Sequence, residues 1–310
     1  MRVLVTGGAG FIGSYLVPSL LKRGMKVLVM DKDKNPSLLS PIINQIQYIQ
    51  GDLAFPPDIY RVMLSNSFDE VFHLGSILAE PCDENPFLGF QINFLSTLVL
   101  LEASVSCKIG KFIMTSSISV FGKGITEPVA DDERKNPANI YGQTKLACEH
   151  LLLWYARKHG IDTRAVRYPW VFGPGRTTGI TAQYSSIILD KMARGEPLEI
   201  ANPDEKGDWL YVKDAVKALL NARDAKNPIQ RIYNISGGIH SIREVVEIAR
   251  KFRPEAKVKY SGGKGPASPY PTAYDDSMAR RELGWKPDYS IENAVKEHLE
   301  IVSNQNTQKG

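Results

Sequence analysis

The opening of the chain places a glycine-rich turn directly between a short apolar strand and a helix. Residues Arg2 to Thr6 (RVLVT) are rich in β-branched side chains, and Phe11 to Lys22 has the apolar spacing of a helix. Between them lies GGAGFIG, with glycines at Gly7, Gly10 and Gly13. Glycines there permit a tight turn, a close approach of backbone to a pyrophosphate, and close packing of helix on strand. This opening strongly favours a parallel sheet whose first turn binds a dinucleotide.

An acidic residue ends the second predicted strand, Lys26 to Asp31. Asp31 lies 18 residues past Gly13, where a carboxylate can accept hydrogen bonds from an adenosine ribose. Because a carboxylate repels a 2′-phosphate, Asp31 favours NAD over NADP, although the nearby Lys32 and Lys34 weaken that preference. We therefore expect NAD as the cofactor.

A second acidic residue, Asp52, follows the third predicted strand, Ile46 to Gln50. Its carboxylate is a candidate acceptor for the adenine amino group of the dinucleotide. A helix N-cap or a turn is the alternative interpretation of this residue.

Strand-like and helix-like stretches alternate over the first two-thirds of the chain. The further strand candidates are Glu70 to His73, Lys111 to Thr115 and Asp162 to Tyr168, and the longer helix candidates are Phe87 to Ser106 and Tyr141 to His159. Strands separated by such helices imply right-handed crossovers and a parallel sheet covered on both faces. We predict an α/β fold with a Rossmann-type doubly wound parallel sheet in an NAD-binding domain, residues 1–168. A smaller mixed α/β C-terminal substrate lobe, mainly residues 169–310, is expected to interleave with that domain.

The pattern loosens after Tyr168. A turn-rich loop over residues 174–181 precedes a predicted helix from Gln183 to Arg194, short strands near Leu198 and Trp209, a helix from Asp214 and a strand from Arg231 to Ile235. A Gly/Pro/Ser stretch over residues 261–271 then leads into the terminal helices.

Charge and composition exclude several classes of partner. The 310 residues carry 38 Lys plus Arg against 34 Asp plus Glu, a formal net charge of +4, which is too small and too evenly spread for a nucleic-acid-binding surface. No apolar run reaches the length of a membrane span, and the first residues do not read as a secretory signal. Three widely spaced cysteines, Cys82, Cys107 and Cys148, form no CxxC pair. We expect a cytoplasmic protein that binds a small-molecule substrate and neither nucleic acid nor membrane.

The histidines give no sign of a metal site. All five are scattered, without metal-ligand spacing, so no bound metal is expected. His73 ends an apolar strand, which favours a hydrogen-bonded core residue over a ligand.

A tyrosine, a lysine and a serine have the spacing of a proton-transfer site. Tyr141 and Lys145 are four residues apart in YGQTK, on one face of a predicted helix, and Ser117 lies 24 residues upstream of Tyr141. A free tyrosine has a pKa of about 10, and an adjacent ammonium and a positively charged nicotinamide both favour the phenolate. We expect Tyr141 to act as general base, Lys145 to lower its pKa, and Ser117 to hold the substrate oxygen. A YxxxK pair alone is more typical of a solvated helix face than of a catalytic site. The glycine turn and the serine-ended strand favour the catalytic interpretation here.

Together these motifs resemble the extended short-chain dehydrogenase/reductase family, which also contains nucleotide-sugar epimerases and dehydratases. The matching segments, in family order, are 7–13 (GGAGFIG), Asp31, 51–53 (GDL), 71–74 (VFHL), Asn93, Ser116-Ser117, 141–145 (YGQTK), 167–169 (RYP), 211–214 (YVKD) and 283–285 (LGW). The set is specific for the family and not for a substrate.

The resemblance implies which residues hold NAD. Besides the three glycines and Asp31, the implied cofactor site contains Phe11, Ile12, Lys32, Asp52, Leu53, Leu74, Gly75, Ser76, Asn93, Thr115, Tyr141, Lys145, Tyr168, Pro169 and Val171. Within that set, residues 74–76 would line the phosphate and ribose region, Asn93 and Thr115 would support it, and Tyr168, Pro169 and Val171 would lie near the nicotinamide. The family typically dimerises through two long helices per subunit, so a homodimer through Phe87 to Ser106 and Tyr141 to His159 is expected.

Three residues that the nucleotide-sugar branch usually has are absent. That branch holds a diphosphate, for which arginine is well suited. Trp170 stands at the usual asparagine position, Gly207 stands at one usual arginine position, and the stretch 265–274 (GPASPYPTAY) lacks another arginine. Lys206 or Lys264 could compensate in part.

Other features are similar to the L-threonine 3-dehydrogenase branch of the family. These are Thr177-Thr178 in a glycine-rich loop, and Pro269-Tyr270-Pro271 ahead of Asp275-Asp276-Ser277. The branch commonly has tryptophan where this chain has Tyr270, and the loop here also carries Arg176. Arg176 is a candidate partner for a substrate carboxylate or a solvated loop charge, and Tyr270 is a candidate substrate contact or a packing aromatic. The candidate substrate residues are thus Ser76, Ser117, Arg176, Thr177, Thr178 and Tyr270.

Three functional hypotheses follow from the sequence. The first is a dehydrogenase of a small hydroxy substrate, most like L-threonine, which would release NADH. The second is a nucleotide-sugar 4-epimerase, which would retain and regenerate its NAD; the dehydratase variant is disfavoured because Ile118-Ser119 replaces the catalytic Asp-Glu pair. The third, a non-catalytic NAD-sensing regulator, is disfavoured because Ser117, Tyr141 and Lys145 are all present.

Overall fold

A seven-stranded parallel sheet forms the centre of the molecule. The computed structural model describes residues 1–261 and 270–307; Lys264 and Pro269, named above, lie outside the described residues. The strands are β1 Arg2–Thr6, β2 Lys26–Asp31, β3 Gln47–Gln50, β4 Glu70–His73, β5 Lys111–Ser117, β6 Asp162–Tyr168, β7 Trp170–Phe172, β8 Leu198–Ile200, β9 Lys206–Tyr211, β10 Ile232–Asn234, β11 Ile239–Ser241 and β12 Val258–Tyr260. The main sheet has the strand order β3-β2-β1-β4-β5-β6-β10. Each pair of adjacent strands in it is parallel. This is the doubly wound order, with its reversal point between β1 and β4, which confirms the predicted fold class.

Helices cover both faces of this sheet. They are α1 Phe11–Lys22, α2 Pro56–Leu64, α3 Ala79–Glu84, α4 Pro86–Gly89, α5 Ser96–Ser106, α6 Ile140–His159, α7 Ile180–Gln183, α8 Ser186–Arg194, α9 Val212–Asp224, α10 Ile242–Phe252, α11 Ser277–Leu283 and α12 Ile291–Thr307. Successive residues of β1 point to opposite faces, so Val5 packs in one core with Leu16 of α1, and Leu4 packs in the other with Leu100 of α5 and Leu152 of α6. Because each face is covered, β1 reads as a continuous apolar run.

The predicted helix from Phe87 to Ser106 is helical throughout, but its hydrogen bonding changes midway. A π-helical segment, Phe90–Leu95, separates α4 from α5. Within the described part of the chain, the run Pro86–Ser106 is the one helix long and apolar enough by composition to cross a bilayer, and half of its most apolar window is buried in the protein. The length and composition of this run are weak evidence for a membrane span, since a buried core helix of a globular protein has the same properties.

The second half of the chain builds a smaller lobe and then returns to the main sheet. Strand β9 pairs with β7 and β11 in one small sheet, and β12 pairs with β8 in another. Strand β10 then adds to the edge of the main sheet, where Ile232 pairs with Ala165. The boundary expected at residue 168 falls between β6 and β7.

The segment after residue 270 is held against the loop that follows β5. The Glu127 carboxylate accepts hydrogen bonds from the backbone N–H groups of Thr272 and Ala273, both at 3.0 Å. Val129 forms a bridge with Tyr274, and its N–H donates to the carbonyl of Ala273 at 2.9 Å. These bonds fix the position at which Tyr270 enters the space beyond the sheet.

Candidate functional site

The glycine turn packs more tightly than any side chain would allow. Gly7 has φ +68°, and a Cβ on it would lie 2.5 Å from backbone atoms of Gly75. A Cβ on Gly13 would lie 2.4 Å from the carbonyl oxygen of Gly8. At the edge of this turn, the N–H of Ala9 donates to the Asp31 carboxylate at 3.0 Å. The turn is therefore a backbone cradle at the start of α1 with a carboxylate fixed beside it, which fits the phosphates and ribose of NAD.

A cleft of about 950 Å³ opens at the carboxyl end of the main sheet, beside the reversal point. Its walls include these predicted cofactor residues: Gly7, Gly10, Phe11, Ile12, Gly13, Asp31, Lys32, Asp52, Leu53, Leu74, Gly75, Ser76, Thr115, Tyr141, Tyr168, Pro169 and Val171. The walls also include the predicted substrate residues Ser117, Arg176, Thr177, Thr178 and Tyr270. Ligands of doubly wound folds bind at this end of the sheet, so the cleft is the candidate active site.

Two predicted cofactor residues lie behind the cleft wall. Asn93, in the π-helical segment, is buried, and its amide accepts from the N–H of Ile77 at 2.8 Å and donates to the carbonyl of Ile77 at 3.0 Å. The Lys145 ammonium is also buried and donates to the carbonyl of Thr115 at 2.9 Å. Each residue thus braces a backbone segment that lines the cleft.

Asp52 also makes the contact expected of a turn residue, which was the alternative interpretation of this position. Its carboxylate accepts a hydrogen bond from the N–H of Ala54 at 2.8 Å, which is a turn contact. Because the side chain is also exposed in the cleft wall, the turn contact fixes its position there.

The three predicted catalytic residues, Ser117, Tyr141 and Lys145, lie close together, with Lys145 behind the cleft wall. Tyr141 is the second residue of α6 and lies beside Ser117, the last residue of β5. The Lys145 Nζ atom lies 5.6 Å from the centre of the Tyr141 ring. The structure therefore places the three side chains near one another, and their catalytic roles stay a prediction.

Burial is the largest influence on the pKa of Tyr141. Burial raises the pKa of Tyr141 to about 12, while the hydrogen bond with Ser117 and the nearby Arg176 guanidinium lower it. Burial also lowers the pKa of Lys145. Within the protein itself, desolvation of the phenolate outweighs the neighbouring charges. The sequence expectation also counts the positive charge of a bound nicotinamide, so it stays a prediction for the complex with NAD.

His73 is a buried structural residue. Its ring nitrogens hydrogen-bond the hydroxyls of Thr6 at 2.6 Å and Thr97 at 2.9 Å. Burial lowers the pKa of His73 to about 3, so the ring is neutral at neutral pH. In the described ranges, no group of three His, Cys, Asp or Glu side chains is arranged to hold a metal ion.

Arg176 is part of the cleft wall. Its guanidinium donates to the carbonyl of Val171 and to the hydroxyl of Thr181, and burial lowers its pKa to about 10. The group therefore remains a cation at neutral pH and is fixed toward the cleft. This geometry differs from that of a solvated loop charge.

Sequence reasoning assigned no role to two residues of the site, Ser119 and Asn139. Ser119 lines the cleft, and its hydroxyl lies 3.0 Å from that of Ser117. Asn139 caps α6 by accepting from the N–H of Gly142 at 2.9 Å. An available signal for Asn139 was its place just before the predicted helix from Tyr141, where asparagine is a favoured cap.

Known proteins resemble this chain along most of its length. The model of the NAD dependent epimerase/dehydratase family matches residues 3–236. A putative UDP-glucose 4-epimerase of Methanocaldococcus jannaschii is 29% identical over 98% of this chain and 99% of its own length. The structure of L-threonine 3-dehydrogenase from Trypanosoma brucei is 25% identical with a TM-score of 0.90, covering 99% of this chain and 98% of that chain. The structure of Thermus thermophilus UDP-glucose 4-epimerase in complex with NAD is 25% identical with a TM-score of 0.85, covering 97% and 99%. The chain therefore belongs to the NAD-dependent epimerase/dehydratase family and is an NAD-dependent enzyme.

Proposed function

We propose that this enzyme oxidises the hydroxyl group of a small 3-hydroxy acid, most like L-threonine, and releases NADH. The observation that carries the proposal is the packing of Trp170 on Gly207. A Cβ on Gly207 would lie 2.5 Å from the indole ring of Trp170. Trp170 is itself buried and packs on Trp209, with ring centres 6.0 Å apart.

This packing links two departures from the nucleotide-sugar pattern. By the family resemblance, an asparagine is usual at position 170 and an arginine at position 207. Here the indole fills the space in which any side chain at position 207 would begin. The two residues are therefore one coupled exchange that replaces polar contacts with a packed aromatic wall, which supports a substrate without a nucleotide.

Arg176 offers a contact suited to a carboxylate. Its guanidinium is fixed in the cleft wall near Tyr141, and a partly desolvated arginine binds a carboxylate through charge-assisted hydrogen bonds. Thr177 and Thr178 add hydroxyl groups to the same wall. A short acid carrying a 3-hydroxyl group would place its charge at Arg176 and its hydroxyl at Tyr141.

In the proposed reaction the protein moves one proton. When bound, NAD supplies the hydride acceptor, and the glycine turn, Asp31 and the walls around residues 74–76 would hold it. Tyr141 takes the proton from the substrate hydroxyl, and Ser117 donates a hydrogen bond to the same oxygen. Lys145 keeps a positive charge beside the phenolate, which favours its formation.

A UDP-hexose 4-epimerase is the alternative. The observation that favours it is the match, along nearly the whole chain, to a putative UDP-glucose 4-epimerase and to a solved one. Such an enzyme would use the same trio but return the hydride to the sugar within each turnover. It would need polar groups for a diphosphate in the lobe where Trp170 packs on Gly207.

The experiment that tests the proposal measures two products together. Purified enzyme is incubated with NAD and, separately, with L-threonine, L-serine, 3-hydroxybutyrate, UDP-glucose and UDP-galactose. NADH absorbance that accumulates with a 3-hydroxy acid supports the proposal. Interconversion of the two UDP-sugars without net NADH supports the epimerase instead.

We also propose a homodimer through α6 and the helical run Pro86–Ser106. These neighbouring helices carry exposed apolar side chains. The exposed fraction is 37% for Leu95, 41% for Leu153 and 42% for Trp154. An apolar patch of this kind on a globular protein is typical of a protein interface.

A further inference from the structure

A loop of the smaller lobe runs across the first turns of α1 at the rim of the cleft. Residues 173–176 follow β7 and form a turn, in which the N–H of Arg176 donates to the carbonyl of Gly173 at 3.4 Å. A Cβ on Gly173 would lie 3.4 Å from Cζ of Phe11, the first residue of α1. Phe11 and Arg176 both line the cleft, so the loop is a part of the cleft wall that rests on the start of the helix.

The tip of this loop meets the wall that follows β2. A Cβ on Gly175 would lie 3.5 Å from Cδ2 of Leu38, which is van der Waals distance. Leu38 belongs to a 3₁₀-helical segment, Ser37–Gln45, and 42% of its apolar side chain is exposed. Both residues line the cleft. Their contact therefore joins a wall of the smaller lobe to the wall on the Asp31 side of the glycine turn.

A tyrosine anchors the middle of the loop from outside the cleft. The Tyr15 hydroxyl donates to the carbonyl of Pro174 at 3.0 Å. Tyr15 lies one helical turn after Phe11, and the two rings pack edge to face with centres 6.0 Å apart. Tyr15 lies outside the set of residues that line the cleft, so its hydroxyl acts on the cleft through the loop.

We propose that residues 173–175 form a strap across the phosphates of bound NAD, and that the strap has to lift before the cofactor can enter or leave. The start of α1 would hold the phosphates, with Asp31 on the adenosine side and Val171 on the nicotinamide side. A cofactor extended between these two sides passes the contact of Gly175 with Leu38. The inference needs only NAD as the cofactor, so it applies to a dehydrogenase and to an epimerase alike.

A strap changes the exchange of cofactor in both directions. A variant that weakens a direct contact with bound cofactor mainly raises koff, because most of an affinity change lies in that rate constant. A variant that weakens a strap raises kon as well, since the open, binding-competent form is populated more often. The two rate constants together therefore separate a strap from an ordinary binding contact.

Leu38→Ala and Tyr15→Phe test the strap from its two sides. Leu38→Ala removes the apolar contact at the tip of the loop, and Tyr15→Phe removes the hydrogen bond to its middle while leaving the cleft wall intact. The matched controls are Leu64→Ala, at a leucine of α2 that is 65% exposed, and Tyr233→Phe. The Tyr233 hydroxyl also donates to a backbone carbonyl, that of Gln230, and both control residues lie outside the cleft wall.

The readout is the exchange of NADH, measured by stopped-flow fluorescence with excess NAD as the displacing ligand. Any copurified cofactor is first removed on charcoal. We expect Leu38→Ala to raise koff by about 10-fold, and Tyr15→Phe to raise it by about 3-fold. In each variant kon should rise by a similar factor, so that Kd changes much less than koff does. Both controls should match the wild type.

The outcomes decide between a strap and the alternatives. An unchanged kon in Leu38→Ala overturns the proposal whatever happens to koff, because Leu38 would then be a direct contact of the bound cofactor or no contact at all. Wild-type rate constants in Tyr15→Phe would refute its role as the anchor. If Tyr15→Phe does not fold, Leu38→Ala decides by the same two rate constants. The measurement uses no substrate, so a failure to oxidise 3-hydroxy acids leaves its outcome unchanged.

Discussion

Replacing Gly207 with alanine tests whether the Trp170 indole occupies the space next to position 207 in the smaller lobe. The new Cβ would lie 2.5 to 2.7 Å from three carbons of the indole ring, whereas carbon atoms prefer a separation of about 3.5–4.0 Å. The indole would have to move by about 1 Å. The indole ring is buried and also packs on Trp209, so the ring has little room in which to move.

The magnitude follows from two opposing effects. Overpacking a dense core costs about 1–3 kcal/mol, and replacing glycine with alanine stabilises by about 0.4–1 kcal/mol through the unfolded chain. We expect Gly207→Ala to lower the free energy of unfolding by about 1–2 kcal/mol, and the melting temperature by about 2–4 °C. Any larger side chain at position 207, including arginine, would clash with the same indole ring.

The assay is thermal and urea unfolding of four proteins: wild type, Gly207→Ala, Trp170→Leu and the double variant. In the Trp170→Leu background the clash is gone, so Gly207→Ala should cost less than about 0.5 kcal/mol. Gly110→Ala is the matched control, because its Cβ would lie 3.5 Å from its nearest neighbour, the carbonyl oxygen of Asp69. Wild-type stability of Gly207→Ala, or the same loss with and without the indole, would refute the coupling.

Other predictions concern the reaction and the assembly. Tyr141→Phe should lower turnover by about 10²–10⁴-fold and change the NAD dissociation constant, measured by fluorescence titration, by less than about threefold. In the proposed reaction the Tyr141 phenolate is the base, and burial raises its pKa. We therefore expect kcat/KM for oxidation to rise with pH, and Ser117→Ala to move that rise to higher pH in a pH–rate profile. Arg176→Gln should raise KM for a 3-hydroxy acid by about 10–100-fold with little change in kcat. In the same steady-state assays, the KM for an amide analogue of the substrate should be the same in the variant as in the wild type. Trp154→Glu should give monomers by light scattering after size exclusion, whereas Ile229→Glu, at a residue 89% exposed and distant in sequence, should leave the mass unchanged.

The parts of the site that depend on backbone constraints were predictable from sequence. Gly7 and Gly13 have contacts closer than a Cβ would permit, so few other residues can occupy those positions. Asp31 was placed correctly because a parallel strand of fixed length delivers its last residue to the edge of the turn. The four-residue spacing of Tyr141 and Lys145 likewise fixed a shared helical face.

The parts that depend on distant packing were not predictable. The π-helical segment that carries Asn93 behind the wall has the composition of an ordinary helix. The direction of the Tyr141 pKa shift depends on how completely the fold removes water from the phenol, which no local spacing encodes. Tyr270 reaches Asn139 across 131 residues of sequence because Glu127 holds its segment.

Strand β10 has a consequence for how this enzyme can be recombined with its relatives. It supplies the outer neighbour of β6, and its Asn234 side chain accepts from the Arg167 guanidinium at 3.1 Å. A chimera cut at residue 168 would leave β6 as a bare edge, open to pairing with other chains. A chimera that exchanges the first 168 residues therefore has to take residues 232–234 from the same parent. The part of the chain between β6 and β10 has to be exchanged as an insertion between two strands of one sheet.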